Sequence, residues 1–137
     1  MARAVFVDTG FVVALLDAAD RLHARALKLT RSLAESGVPL ITTDAIVLEI
    51  ANYFARGPLR GECLDWLDAI RTSPGWDVLP LDRALLRRGE ARYRRFADKS
   101  WSLTDCISME VMLERRLRDA ATHDAHFEQA GFRALLR

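Results

Sequence analysis

The stretch Ala4-Val5-Phe6-Val7-Asp8-Thr9-Gly10 decides how the rest of the chain is read. Four apolar residues run straight into an acid, and a Thr9-Gly10 turn follows. A run this short and this continuously apolar is the pattern of a strand buried on both faces, as in a parallel sheet. Outward from it the same unit recurs. Leu40–Thr42, entered through Pro39, Trp76–Leu79, Asp119–Thr122 and Phe132–Leu135 are the other strand candidates. Longer helical patterns lie between them. Phe11–Asp17 is short, Arg21–Ser36 is amphipathic and stops at Gly37, and Asp44–Ala55 is apolar and stops at Gly57-Pro58. Leu59–Arg71 closes at Ser73-Pro74-Gly75, Asp82–Ala97 is strongly basic, Ser102–Arg116 is apolar almost all round, and a short helix separates the last two strands. Alternation of this kind predicts an α/β fold: a central parallel sheet of about five short strands, helices on both faces and right-handed crossovers.

The 137 residues fit one domain, 1–137, long enough to bury a core without staples. Cys63 and Cys106 lie in apolar-rich segments and read as buried thiols, so no disulfide framework is expected. No apolar run approaches a membrane span and the first residues lack a signal-peptide pattern, which makes the cytoplasm the expected compartment and a membrane partner unexpected. The net charge of +1 excludes little. Its make-up says more: all 20 basic residues except Lys28 and Lys99 are Arg, whose planar fork suits phosphate and base stacking. A genomic preference for Arg codons would give the same count.

Four acids stand out against this background. In an open parallel sheet, ligands bind beyond the carboxyl ends of the strands. Asp8 and Asp124 follow strands there, although capping of the next helix explains either one alone. Glu49 is the one charged residue in Ala45–Ala55, a segment whose pattern predicts burial all round. A buried carboxylate needs a cation, hydrogen bonds or a proton, and a salt bridge to Arg is the plain alternative. Asp105 shares a stripe with Met109 and Met112, but Ser102-Leu103-Thr104-Asp105 also fits a capping box, and the two roles are compatible. Converging above the sheet, the four acids would repel one another unless a divalent cation joined them. Hard oxygen donors favour Mg²⁺, with Mn²⁺ as substitute, and such a site suits phosphoryl chemistry.

At these residues the chain resembles the PIN-domain nucleases, and more narrowly the VapC-type toxins of toxin–antitoxin pairs. The matching segments are Val5–Gly10, Thr43–Asn52, Asp98–Ser108 and Ala121–Phe132, in order along nearly the whole chain. The resemblance implies a metal-dependent endoribonuclease with Asp8, Glu49, Asp105 and Asp124 as its catalytic acids. Asp8 and Asp105 would be the principal ligands of Mg²⁺ or Mn²⁺, with Glu49 and Asp124 completing the pocket. Thr9, Thr104 and Thr122 would hydrogen-bond to those acids, and Asp98 would either support the site or brace a loop. It also implies products with a 5′-phosphate and a 3′-hydroxyl, a homodimer, and a cognate antitoxin that covers the acidic groove. Apolar helices such as Leu59–Arg71, with Trp66 and Leu67, would supply a dimer face or an antitoxin groove, unless Trp66 is ordinary core.

Acids alone would repel RNA. Arg83, Arg87, Arg88, Arg92, Arg94, Arg95 and Lys99 make the Asp82–Ala97 helix and its exit a candidate phosphate-binding face, with Arg83, Arg87, Arg92, Arg95 and Lys99 as its core. Arg115, Arg116 and Arg118 form a second cluster. A solvated face explains the first cluster as well as RNA binding does, and explains the second better. Trp101 is expected in the core or an interface rather than under a base. His123 and His126 lack thiolate partners, so a surface or supporting role is expected over zinc binding. An aspartyl-phosphate phosphatase would need a second acid where Gly10 stands. A housekeeping RNA-processing nuclease and a non-catalytic binding module are the remaining alternatives.

Overall fold

The computed structural model describes residues 3–137. Five parallel strands form one sheet in the order β3-β2-β1-β4-β5. They are β1 (Val5–Val7), β2 (Leu40–Thr43), β3 (Trp76–Leu79), β4 (Asp119–Ala121) and β5 (Arg133–Ala134). The helices are α1 (Thr9–Leu16), α2 (His23–Ser36), α3 (Asp44–Tyr53), α4 (Arg60–Thr72), α5 (Arg83–Arg95), α6 (Leu103–Glu114) and α7 (Ala125–Gln129). All five expected strands are present, in the expected parallel sheet.

β1 is the central strand. Phe6 pairs with Ile41 on one side and with Ala120 on the other. Phe6, Ile46, Ile50, Met112, Ala120 and Phe127 are all buried around it. From β1 the chain steps one way through β2 and β3, then returns to the other side for β4 and β5. The order therefore reverses between β1 and β4, and the crevice beyond their carboxyl ends is where such sheets bind ligands.

Two local differences from the sequence pattern matter. The Thr9-Gly10 turn is absent: Asp8 is extended and α1 starts at Thr9. An extended residue directly before a helix is the ordinary geometry of an N-cap, so no separate turn is required. Nor is α3 buried all round. Leu48 and Tyr53 are 59% and 58% exposed, because only one side of the helix meets the core. The α2 stop is as expected, with Gly37 in the left-handed conformation (φ 70°).

α5 and α6 pack antiparallel. Arg88 reaches Glu114 at 2.9 Å and Arg92 reaches Glu110 at 2.6 Å. Where the same two helices touch, Gly89 meets Ile107 so closely that an added Cβ would lie 2.5 Å from Ile107 Cγ1. Helix propensity alone would favour alanine at this position. The contact reverses the sign: Gly89→Ala is expected to destabilise the fold by about 1–3 kcal/mol through overpacking, as measured by urea unfolding. A gain in stability would mean that the helices separate freely.

Candidate active site

Each acid reaches the crevice by a different route. Asp8 ends β1 and precedes α1, yet its side chain does not reach back to cap that helix. It accepts a 2.7 Å hydrogen bond from the Thr122 hydroxyl at the end of β4. Thr122 Oγ1 in turn accepts from the Asp124 amide at 3.1 Å. One threonine thus ties together the ends of β1 and β4. Asp8 is buried, and loss of water pushes its carboxyl up to about 7. Hydrogen bonds from Thr122 and the Thr9 backbone oppose the rise, and the charges of Asp105 and Glu49 add to it.

Glu49 projects from the second turn of α3. It is half-buried and accepts a 2.5 Å hydrogen bond from Thr9 Oγ1. Its access to solvent follows from the one-sided burial of α3. The Arg salt bridge that would have explained it is absent among the described residues, so threonine is its partner instead.

Asp105 occupies the first turn of α6, which runs towards the sheet's amino end. The capping box is formed: the Asp105 amide donates to Ser102 Oγ, and the Ser102 amide donates to Asp105 Oδ2, both at 3.0 Å. The same Oδ2 meets His126 Nδ1 at 2.9 Å. Asp124 caps α7, accepting from the His126 amide at 2.9 Å, and its Oδ1 lies 3.3 Å from His126 Nδ1. Both acids therefore have the capping roles that the sequence allowed, and both still line the crevice. Asp8, Glu49, Asp105 and Asp124 share one cleft of about 520 Å³.

This donor set fits a hard divalent cation. Ligand atoms of Asp105, Asp124 and His126 lie within 4.8 Å of one another. Asp8, the most buried of the four acids, has only hydroxyl and backbone partners, so its ionised form lacks a compensating charge. Carboxylates so placed repel unless a cation or protons intervene. His126 is the participant that sequence reasoning undervalued. The signal was its position two residues after Asp124, which returns a side chain of α7's first turn to the acid that caps it.

The other expected residues divide. Thr9 and Thr122 bond to acids, whereas Thr104 does not line the cleft. Asp98 is also outside it, its carboxylate exposed and 3.6 Å from Lys99. Arg92 faces inward against Glu110, with only 13% of its side chain exposed, so it is a brace between helices and not a free phosphate ligand. Arg83, Arg87 and Arg95 remain exposed, Arg87 within 3.8 Å of Glu90. The antiparallel packing carries the Arg95–Lys99 end of α5 towards the acids, and Ser100 lines the cleft. Arg115 and Arg116 lie at the far end of α6. Trp101 is buried with Phe96 and Met109, its indole N–H donating to Gln129 at 2.9 Å. Trp66 packs edge-on against Trp76 and lines, with Phe11, Leu15 and Leu40, a mainly apolar pocket of about 360 Å³, whereas Leu67 is buried. Burial raises both cysteine thiols above their usual range, which keeps them protonated and inert.

A parallel sheet with buried and half-buried carboxylates gathered at its switch point defines a class of α/β domain whose acids offer oxygen donors to a divalent cation. The chain belongs to the PIN-domain family, whose family model matches residues 5–133. Among solved structures it is similar to the VapC20 toxin of Mycobacterium tuberculosis, described as cleaving the sarcin–ricin loop. Identity is 26% and the TM-score 0.80, over 93% of this chain and 95% of that one. FitAcB from Neisseria gonorrhoeae shares the fold at 18% identity and a TM-score of 0.64, over 95% of each chain. The curated proteins contain no match. Among the described residues, no helix is long and apolar enough to cross a membrane.

Proposed function

We propose that this protein is a Mg²⁺-dependent endoribonuclease, with Mn²⁺ able to substitute, acting as the toxin of a toxin–antitoxin pair. The observation that carries the reading is the convergence of Asp8, Glu49, Asp105 and Asp124 on one cleft at the β1–β4 switch point. Asp8 and Asp105 are the proposed principal metal ligands, and Asp124 and Glu49 complete the acidic pocket. When bound, the cation supplies charge neutralisation at the phosphate and acidifies water. The chain's own residues hold and orient. Thr122 fixes the Asp8 carboxylate, Thr9 fixes Glu49, and His126 spans Asp105 and Asp124. Hydrolysis adds water across the P–O3′ bond, leaving a 5′-phosphate and a 3′-hydroxyl.

The similar mycobacterial toxin cleaves the sarcin–ricin loop, so a loop RNA of that kind is the first substrate to test. The assay compares the wild type with Asp8→Asn and Asp105→Asn, in Mg²⁺, Mn²⁺ and EDTA. Undiminished cleavage by both variants would sink the assignment. The partners proposed with this reading are an antitoxin covering the acidic cleft and a second copy of the chain. Leu48, Tyr53 and Leu64, exposed on α3 and α4, offer apolar surface for that copy.

The basic face of α5 is proposed to steer RNA, with Arg95 and Arg92 in different roles. Arg95→Ala should reduce the salt dependence of RNA binding by about one unit of log–log slope, with little effect on stability. Arg92→Ala leaves Glu110 without its partner and should cost roughly 2 kcal/mol of stability. Titrations in increasing KCl and parallel urea melts separate the two, and an interchange of the effects would refute these roles.

A further inference from the structure

A larger cleft, of about 740 Å³, opens at the opposite end of the sheet. Its rim carries Arg3 just before β1, Arg118 just before β4 and Arg133 at the start of β5. These three strands are neighbours in the order β1-β4-β5, so residues remote in sequence meet along one edge of the cleft. Among the described residues none of the three guanidinium groups forms an ion pair. Asp119 is the one acid in the lining, which leaves a cationic excess. At the acidic cleft, by contrast, Arg137 is paired with Glu128. The floor between the arginines is apolar and includes Leu117 and Phe132.

Clustered like charges without acidic partners repel and give the fold nothing in return. A phosphate chain would relieve that repulsion, because each guanidinium can bind phosphate through its fork. An apolar floor with an aromatic ring suits the flat face of a base. We propose that this cleft is a second RNA-binding site, which holds backbone phosphates and a base away from the point of scission. The proposal rests on the ribonuclease reading above and extends it to long substrates. Arg3 and Asp8 flank β1 five residues apart, which at ~3.3 Å per residue separates the two clefts by about 17 Å. A short oligonucleotide in the acidic cleft does not reach the arginines, whereas a long folded RNA does.

The test is Arg118→Gln/Arg133→Gln, both positions being exposed, compared with its parent on a long structured RNA and on a short oligonucleotide. Binding is measured in an Asp8→Asn background, where no chemistry intervenes, and cleavage in the wild-type background. The double variant should weaken binding of the long RNA about tenfold and lower its salt slope by roughly two. Binding and cleavage of the short oligonucleotide should be unchanged, and lysine at both positions should restore most of the loss. Equal loss on both RNAs, or no loss on either, overturns the proposal. Protection of the parent by inorganic phosphate, lost in the double variant and without any RNA length effect, would assign the cleft to a free anion and overturn it too. If the wild type cleaves neither RNA while the length-dependent binding persists, the ribonuclease reading fails and the second site stands.

Discussion

Asp8→Asn is expected to reduce RNA cleavage by at least about 10³-fold, several kcal/mol of transition-state stabilisation, while making the metal-free protein more stable above neutral pH. The two effects share a cause. Burial raises the Asp8 carboxyl from 3.8 to about 7. Below about pH 4 Asp8 is protonated in both folded and unfolded chains, and the stability linked to its proton is fully present. Between about pH 4 and 7 the unfolded chain ionises first, so stability falls through that window. Above about pH 7 the folded chain carries an ionised carboxylate out of water, and the displaced titration corresponds to about 4 kcal/mol. Asparagine keeps an acceptor for Thr122 and carries no charge. Its gain over wild type should therefore reach a few kcal/mol at pH 8, roughly ten degrees in Tm, and vanish near pH 4. Mg²⁺ should raise the Tm of the wild type and leave that of Asp8→Asn unmoved. Thermal melts in EDTA and in Mg²⁺ at the two pH values check every arm. A variant less stable than wild type at pH 8 in EDTA would show that Asp8 is held by its hydrogen bonds and not strained by its charge.

The second large effect separates the two roles of Asp105. Its carboxylate completes a capping box with Ser102 and also faces the acidic cleft. Asp105→Asn retains an acceptor for the Ser102 amide, so the helix start should survive with a stability change under about 0.5 kcal/mol. Cleavage should nevertheless fall about 10²–10³-fold, because in the proposed function Asp105 is a charged ligand of the metal. Ser102→Ala is the converse: it removes the cap, costs about 1 kcal/mol, and should leave cleavage within a few-fold of wild type. If Ser102→Ala were as inactive as Asp105→Asn, the role of Asp105 would be structural. Urea melts and single-turnover cleavage on the same preparations decide between these outcomes.

Much of this was legible along the chain because it rests on local chemistry. Continuous apolar runs of strand length, Gly37 as a helix stop and the Ser102–Asp105 spacing are short-range signals, and each has its counterpart in the structure. Glu49 was recognised for a reason that only partly survives. The apolar pattern of α3 implied burial all round, whereas the helix buries one side and leaves Leu48 and Tyr53 in solvent. Its acid is satisfied by Thr9, forty residues away, a partner that no periodicity points to. Arg92 reads as one more cation on a basic helix until α6 brings Glu110 against it.

The sequence by itself therefore determined the alternation of strands and helices, the acids at strand ends and helix starts, and the family to which the pattern belongs. These depend on periodicity, capping and turn chemistry within a few residues. Only the tertiary structure decided the strand order that opens the crevice between β1 and β4. It also placed His126 between two acids, kept Asp98 and Thr104 outside the cleft, and assembled three arginines at the far end of the sheet. Those relations join residues from separate elements, and their distances are set by how the sheet and helices pack.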